Sequence, residues 1–88
     1  MNDVRIVVYS KNHCPFCEKA KMILMNHGYS YEERKLEDDF DGIMNLFSSN
    51  GLQTFPQIFI NDKLVGGCDD LEVLVKKGDN WLETFISQ

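Results

Sequence analysis

The 88-residue sequence lacks several features that mark other classes of protein. No apolar run approaches the ~20 residues that a membrane helix needs, and the first residues lack the basic and apolar regions of a secretory signal. No internal repeat, low-complexity tract or linker-like segment divides the chain. The net charge of −5 argues against nucleic acid as a partner, because phosphates bind clustered lysines and arginines. We therefore expect a soluble, cytoplasmic monomer that forms a single domain over residues 1–88, without a membrane partner.

Cysteine is scarce, with three residues in the chain, and the odd number fits a static disulfide framework poorly. Two of them, Cys14 and Cys17, form a Cys-x-x-Cys motif, which in a reducing compartment is more often catalytic or metal-binding than structural. A zinc or iron–sulfur half-site is the alternative to redox chemistry. Zinc usually needs a second cysteine or histidine pair at suitable spacing, and here Cys68, His13 and His27 remain. The pattern therefore favours redox chemistry, and we expect no metal.

The position of this motif predicts how its two thiols differ. It lies between an apolar run at residues 4–9 and an amphipathic segment, so Cys14 is expected at the N-terminus of a helix. Free amides and the helix dipole favour a thiolate there, and Lys11 is the cation expected to reach it. Cys17 follows one helical turn later, close enough to form a disulfide. We predict thiol–disulfide exchange with Cys14 as the nucleophile and Cys17 as the less exposed, resolving thiol.

Hydrophobic periodicity predicts an α/β protein with a four-stranded mixed sheet flanked by helices. An initial β-α-β unit with short connections implies parallel strands, and a closing hairpin adds an antiparallel edge. The order is β-α-β-α-β-β-α plus a short terminal helix. The predicted elements are a strand at 4–9, a helix from Pro15 to about His27, a strand at 29–36, a helix capped by Asp39 or Asp41 and ended by Asn50 and Gly51, a hairpin of 57–60 and 64–65, a helix from Asp69 or Asp70, and a helix at 80–86.

A second motif, Thr54-Phe55-Pro56-Gln57, places a proline immediately before a predicted strand. An ordinary trans proline at a strand start is the alternative that base rates favour. The neighbouring redox motif reverses this preference, so we expect a cis bond before Pro56. The N–H and C=O of Phe55 would then be free to pair with an extended peptide.

The third motif is Gly66-Gly67-Cys68-Asp69-Asp70. Two glycines permit close backbone approach, and the following helix N-terminus offers amides to a carboxylate. An aspartate carboxylate could accept from an ammonium on the same ligand, so a ligand with an α-amino acid end fits. A plain Gly-Gly turn with an aspartate cap is the alternative, and taken alone it is preferred. The third cysteine of the chain is expected to be a small buried residue without a redox role.

Together these segments resemble the dithiol glutaredoxin family. The matching stretches, in order and spacing, are YSKNHCPFC at 9–17, TFPQIFI at 54–60 and GGCDDL at 66–71. The resemblance implies a thioredoxin fold in which Pro56 is cis. It also implies glutathione-dependent reduction of protein disulfides and glutathionylated mixed disulfides, with clients such as ribonucleotide reductase.

The resemblance also implies a role for each residue of a glutathione site. Lys11 would meet the glycyl carboxylate, and the backbone of Phe55 would pair with the cysteinyl part. The amides of Cys68 and Asp69 would hold the γ-glutamyl carboxylate, and the Asp70 carboxylate would reach its ammonium. The remaining expected glutathione-binding residues are Phe16, which replaces the usual tyrosine, Thr54, Pro56 and Gly67.

Some residues depart from the family pattern. Phe55 replaces a small β-branched residue and makes the wall of the cleft bulkier. Ile43 and Gln53 lie near positions where many family members have a polar or basic residue that contacts glutathione. Binding of the glycyl carboxylate is therefore expected to depend more on Lys11.

Two other functions stay open. One is a glutaredoxin-like redoxin reduced by thioredoxin reductase. The other is an iron–sulfur carrier with a cluster bridged by two subunits and glutathione, which Pro15 disfavours in this family.

Overall fold

A computed structural model describes residues 4–88 and shows a four-stranded mixed sheet within them. The strand order is β2-β1-β3-β4, with β1 parallel to β2 and antiparallel to β3, and β4 antiparallel to β3. The strands are β1 (Ile6–Ser10), β2 (Glu32–Lys35), β3 (Gln57–Ile60) and β4 (Lys63–Gly66). The helices are α1 (Pro15–Asn26), α2 (Phe40–Ser49), α3 (Cys68–Val75) and α4 (Trp81–Ile86). This order and the flanked mixed sheet confirm the predicted architecture.

Several element boundaries differ from the prediction, including those of the first strand, which covers Ile6–Ser10 instead of 4–9. The second strand begins at Glu32, because Tyr29 and Tyr31 pack against the hydrophobic core instead of joining the sheet. A short 3-10 turn over Leu36–Asp38 follows it and was not predicted. The third helix begins at Cys68, earlier than the predicted aspartates. The Asp39 cap of α2, one of two predicted alternatives, is present: its side chain accepts the Gly42 N–H at 3.2 Å.

The central strand β1 is buried along its whole length and supplies both layers of the core. Because successive strand residues point to opposite faces, Ile6 and Val8 join a cluster formed with α1, α3 and α4. Val7 and Tyr9 pack on the other face against α2. Helices therefore cover both sides of the sheet, and the carboxyl end of β1 is held in place. No helix within residues 4–88 has the length and apolar character needed to cross a bilayer.

The strand register brings the three sequence motifs to one end of the sheet. Tyr9, near the end of β1, lies opposite Gln57 at the start of β3. Ile58, the next residue of β3, lies opposite Gly66 at the end of β4. The connection from β1 to α1, the proline segment before β3 and the glycine turn after β4 therefore emerge side by side.

A partly buried ionic link fixes α1 to the sheet beneath this end. The Lys21 ammonium lies 2.8 Å from the carboxylates of both Glu18 and Glu33. Ser10 donates its hydroxyl to Glu33 at 2.7 Å. Burial opposes the ionisation of Glu33, but the hydrogen bonds from Lys21 and Ser10 outweigh it and hold its pKa below the usual range. Hydrogen bonds to Glu18 and Glu33 raise the pKa of Lys21.

We expect Glu33→Gln to lower the free energy of unfolding at pH 7 by about 1–2 kcal/mol, because it weakens two charge-assisted hydrogen bonds. The folded-state pKa of Glu33 is depressed, so its contribution is present at neutral pH and is lost as falling pH protonates the carboxylate. Urea unfolding of both proteins across the acidic range measures this difference, which should shrink as the pH falls.

Glu32→Gln is the matched control, because Glu32 pairs at the surface with Arg5 and Arg34 and is 46% exposed. Exposed ion pairs contribute little, so a loss below about 0.5 kcal/mol is expected. Equal losses in the two variants would contradict a special role for the Glu33 link.

Candidate active site

Cys14 and Cys17 form a disulfide at the start of α1, with their Cα atoms 5.2 Å apart. Cys14 is also the N-cap of this helix, and its Sγ accepts the Cys17 N–H at 3.2 Å. Pro15 occupies the first helical turn, where a missing N–H has no cost. The helix N-terminus thus points an amide at the Cys14 sulfur, which favours a thiolate there when the disulfide is reduced.

The two sulfur-bearing residues differ in accessibility. Cys17 is 0% exposed, whereas Cys14 is 9% exposed and borders the surface. The Cys14 Sγ also lies 3.9 Å from the carbonyl oxygen of Phe55. Cys14 is therefore the more accessible residue of the pair.

A cleft of about 530 Å³ brings most of the predicted binding residues together. Its walls come from the start of α1, the proline segment and the turn into α3. The predicted residues among its lining are Phe16, Thr54, Phe55, Pro56, Gly67, Cys68, Asp69 and Asp70. The lining also includes residues that were not predicted, namely Leu52, Gln57, Leu64, Val65 and Gly66.

The Phe55–Pro56 peptide bond is cis, as predicted. The segment before it is held by Gln57, whose Nε2 donates to the Thr54 carbonyl at 3.1 Å and lies 3.3 Å from the Thr54 hydroxyl. Gln57 is 5% exposed, and its Oε1 has no hydrogen-bond partner among the described residues. This contact was not predicted from the sequence. A glutamine at the start of a buried strand nevertheless indicates that its amide is hydrogen-bonded, because buried polar groups usually have a partner.

The turn into α3 requires glycine at Gly66. This residue has φ +124°, and a Cβ there would overlap the Asp70 carboxylate. That carboxylate accepts the Gly67 N–H at 3.0 Å, which orders the first turn of the helix. The amides of Cys68 and Asp69 belong to this first turn and have no carbonyl partner within the helix. They form a potential anion site at the cleft.

The Cys68 side chain is buried, and this burial raises the pKa of its thiol. A raised pKa disfavours the thiolate and hence nucleophilic reactivity. This agrees with the expectation that Cys68 is a small buried residue without a redox role. Within residues 4–88, no group of three or more histidine, cysteine, aspartate or glutamate side chains is arranged to hold a metal ion.

Lys11 lies outside the residues that line the cleft. Its ammonium is placed over the aromatic ring of Phe55, 5.6 Å from the centroid. Phe55 therefore lies between Lys11 and the redox centre: its ring contacts the Lys11 ammonium, and its carbonyl oxygen lies beside Cys14. This contact was not predicted, because the ring and the ammonium are far apart in sequence.

Ile43 and Gln53 also lie outside the cleft lining. Ile43 is 3% exposed and packs in the core cluster with Val7, Tyr9 and Phe47. Gln53 is exposed, in the segment between α2 and β3.

Comparison with known proteins agrees with this geometry. The glutaredoxin family model matches residues 6–65. Glutaredoxin 3 of Escherichia coli K12 is 36% identical over 73 residues, which cover 83% of this chain and 88% of that protein. The crystal structure of a buckwheat glutaredoxin–glutathione complex has a TM-score of 0.78 and 29% identity, covering 92% of this chain and 78% of that one. The solution structure of a dithiolic glutaredoxin from Trypanosoma brucei brucei has a TM-score of 0.73 and 31% identity, covering 85% and 80%.

These likenesses confirm the thioredoxin fold. Thiol–disulfide chemistry also agrees with the site, in which Cys14 caps a helix and forms a disulfide with the buried Cys17. The chain belongs to the glutaredoxin family of thiol–disulfide oxidoreductases.

Proposed function

We propose that this protein is a glutathione-dependent reductase of protein disulfides and glutathionylated mixed disulfides. The observation that carries the proposal is the cleft that connects Phe55, whose carbonyl oxygen lies 3.9 Å from the Cys14 Sγ, with the N-terminus of α3. The reactive sulfur lies beside this cleft, and the turn into α3 offers amides and a carboxylate. A small peptide with a central thiol and an α-amino acid end has the matching chemistry. The related buckwheat protein forms a complex with glutathione.

The charged ends of glutathione find complementary groups along the cleft. The γ-glutamyl carboxylate would accept from the amides of Cys68 and Asp69, where the helix dipole favours an anion. Its ammonium would donate to Asp70, whose second carboxylate oxygen remains to accept it while the first holds the Gly67 N–H. Lys11, which lies outside the cleft lining and over the Phe55 ring, would bind the glycyl carboxylate.

The central part of the ligand would pair with the backbone of Phe55. Because the Phe55 carbonyl oxygen lies 3.9 Å from the Cys14 Sγ, a peptide paired here would bring its own sulfur close to Cys14. Thr54 and Pro56 flank this pairing edge. Phe16, 59% exposed, would supply an apolar wall at the rim.

With a glutathionylated client, the reduced Cys14 thiolate would attack the glutathione sulfur of the mixed disulfide. The client leaves as a thiolate and takes up a proton, and Cys14 becomes disulfide-bonded to glutathione. A second glutathione thiolate then attacks the glutathione sulfur of this intermediate. Oxidised glutathione leaves, and the Cys14 thiolate is regenerated. Cys17 is not needed in this cycle.

With a protein disulfide, Cys14 would first form a mixed disulfide with one client sulfur and release the other. The Cys17 thiolate then attacks Cys14, which frees the client as a dithiol and leaves the Cys14–Cys17 disulfide. This is the bond that the structure contains. Two glutathione molecules return it to the dithiol and leave as one oxidised glutathione, so two electrons reach the client.

This function also supports proposals about setting and partners. A reductase that draws on reduced glutathione needs a reducing compartment, so we propose a cytoplasmic location. We also propose that the protein is a single domain over residues 1–88 and acts as a monomer. Ribonucleotide reductase is a proposed client.

The coupled assay with NADPH, glutathione and glutathione reductase tests the reductant. We expect turnover of a glutathionylated peptide in this assay, and no turnover when thioredoxin reductase and NADPH replace glutathione and its reductase. The cleft next to Cys14 is the physical reason, because it provides a place for glutathione. Turnover supported by thioredoxin reductase alone would instead favour the redoxin function.

Serine substitutions test the division of labour between the cysteines. We expect Cys14→Ser to abolish both activities, because Cys14 is the more accessible thiol of the redox pair and Cys68, the cysteine that lines the cleft, is buried with a raised pKa. Cys17→Ser should retain reduction of a glutathionylated peptide but lose reduction of a protein disulfide. Parallel assays with the two substrates measure this split. An equal loss in both variants with the glutathionylated peptide would refute it.

Asp70→Asn tests the ammonium site. The amide can still accept the Gly67 N–H but no longer carries a charge, so we expect KM for glutathione to rise about three- to tenfold. Asp69→Asn is the matched control, because it removes the same charge from a residue proposed to bind through its backbone amide. Steady-state kinetics should show a rise of less than about twofold for the control. The same rise in both variants would assign the effect to overall charge.

A further inference from the structure

The proposed function uses the backbone of Phe55 and leaves its side chain without a role. The ring lies between the buried core and the Lys11 ammonium. Its position beside the redox centre makes it the strongest candidate for a further contribution to binding.

The core holds the Phe55 ring in a defined orientation. Its centroid lies 4.7 Å from that of Phe47, with the two planes tilted by 30°. Phe47 is 1% exposed and is itself held by the edge of Tyr9, with centroids 6.0 Å apart. Aromatic contacts in this distance range are stabilising. The ring is therefore a fixed surface, anchored in the layer beneath α2.

The Lys11 ammonium lies over the outer face of the Phe55 ring. Its Nζ lies 5.6 Å from the ring centroid, within the range of cation–π attraction. No carboxylate within residues 4–88 forms a salt bridge with it at 4.0 Å or less. The nearby Glu37 carboxylate instead accepts the Asn12 N–H at 2.9 Å. Within the described residues, the Phe55 ring is thus the interaction partner of the Lys11 ammonium.

We propose that the Phe55 side chain is a positioning residue that presents the Lys11 ammonium to the glycyl carboxylate of glutathione. This inference rests on the proposed function. An ammonium has three donors, so it can bind a carboxylate while it remains over the ring. A free lysine side chain loses much rotamer freedom on binding, and holding it beforehand reduces that cost. Phe55 therefore contributes to selectivity for a ligand with a carboxylate at this end.

A double-mutant cycle of Phe55→Leu and Lys11→Met tests the coupling. In the presence of Lys11, Phe55→Leu should raise KM for glutathione about two- to fivefold, the ratio expected for an exposed cation–π contact. In the Lys11→Met background the same substitution should leave KM within error of that background. Phe55→Tyr keeps the ring and should keep the coupling to Lys11. Thermal unfolding of each variant checks that it is folded.

Glutathione esterified at its glycyl carboxylate provides the second arm of the test. Without the carboxylate, Lys11 has nothing to bind, so Phe55→Leu should no longer change KM. A purely structural effect of the smaller side chain would raise KM equally for glutathione and its ester.

Equal effects of Phe55→Leu in both Lys11 backgrounds, or with both ligands, would overturn the inference and leave the ring as a wall of the core. In that case the unsubstituted protein would still turn over glutathione. An absence of turnover with unesterified glutathione in the unsubstituted protein would overturn this inference and the proposed function together.

Discussion

The redox site depends on one hydrogen bond, from the Cys17 N–H to the Cys14 Sγ at the start of α1. It makes the Cys14 sulfur both the cap of a helix and one end of a disulfide. The same amide that orders the helix would stabilise a thiolate once the disulfide is reduced. Stability and reactivity therefore share one interaction. Pro15 supports both, because it continues the helix without bringing a further N–H that needs a partner.

The sheet turns this local arrangement into a site. Antiparallel pairing places Tyr9 opposite Gln57, and Ile58 opposite Gly66, so three distant segments end together. The link through Ser10, Glu33 and Lys21 holds α1 against this end of the sheet. The cleft is the space left between these segments. It extends from Phe55, beside the Cys14 sulfur, to a helix N-terminus, and this combination is what a peptide with a thiol and an α-amino acid end requires.

Much of the fold could be predicted from hydrophobic periodicity and local chemistry. The predictions were wrong where tertiary packing determines the boundaries and contacts of an element. The strand Gln57–Ile60 and the Asp39 cap agree with prediction because a short apolar run and a capping carboxylate act locally. The second strand was predicted too long, since Tyr29 and Tyr31 are apolar enough for a strand but pack into the core. Most predicted site residues line the cleft, but the roles of Gln57 and the Phe55 ring depend on neighbours that sequence spacing does not reveal.

By itself, the sequence determined the order of the elements, the helix-capping position of Cys14 and the presence of three motifs with complementary chemistry. Each depends on residues close together in the chain, where propensity and spacing act directly. Only the tertiary structure decided which groups meet. It buried Cys17 completely and left Cys14 slightly more accessible, packed Ile43 in the core, and placed Lys11 over Phe55. These outcomes depend on strand register and on the packing of helices against both faces of the sheet, which are properties of the whole chain.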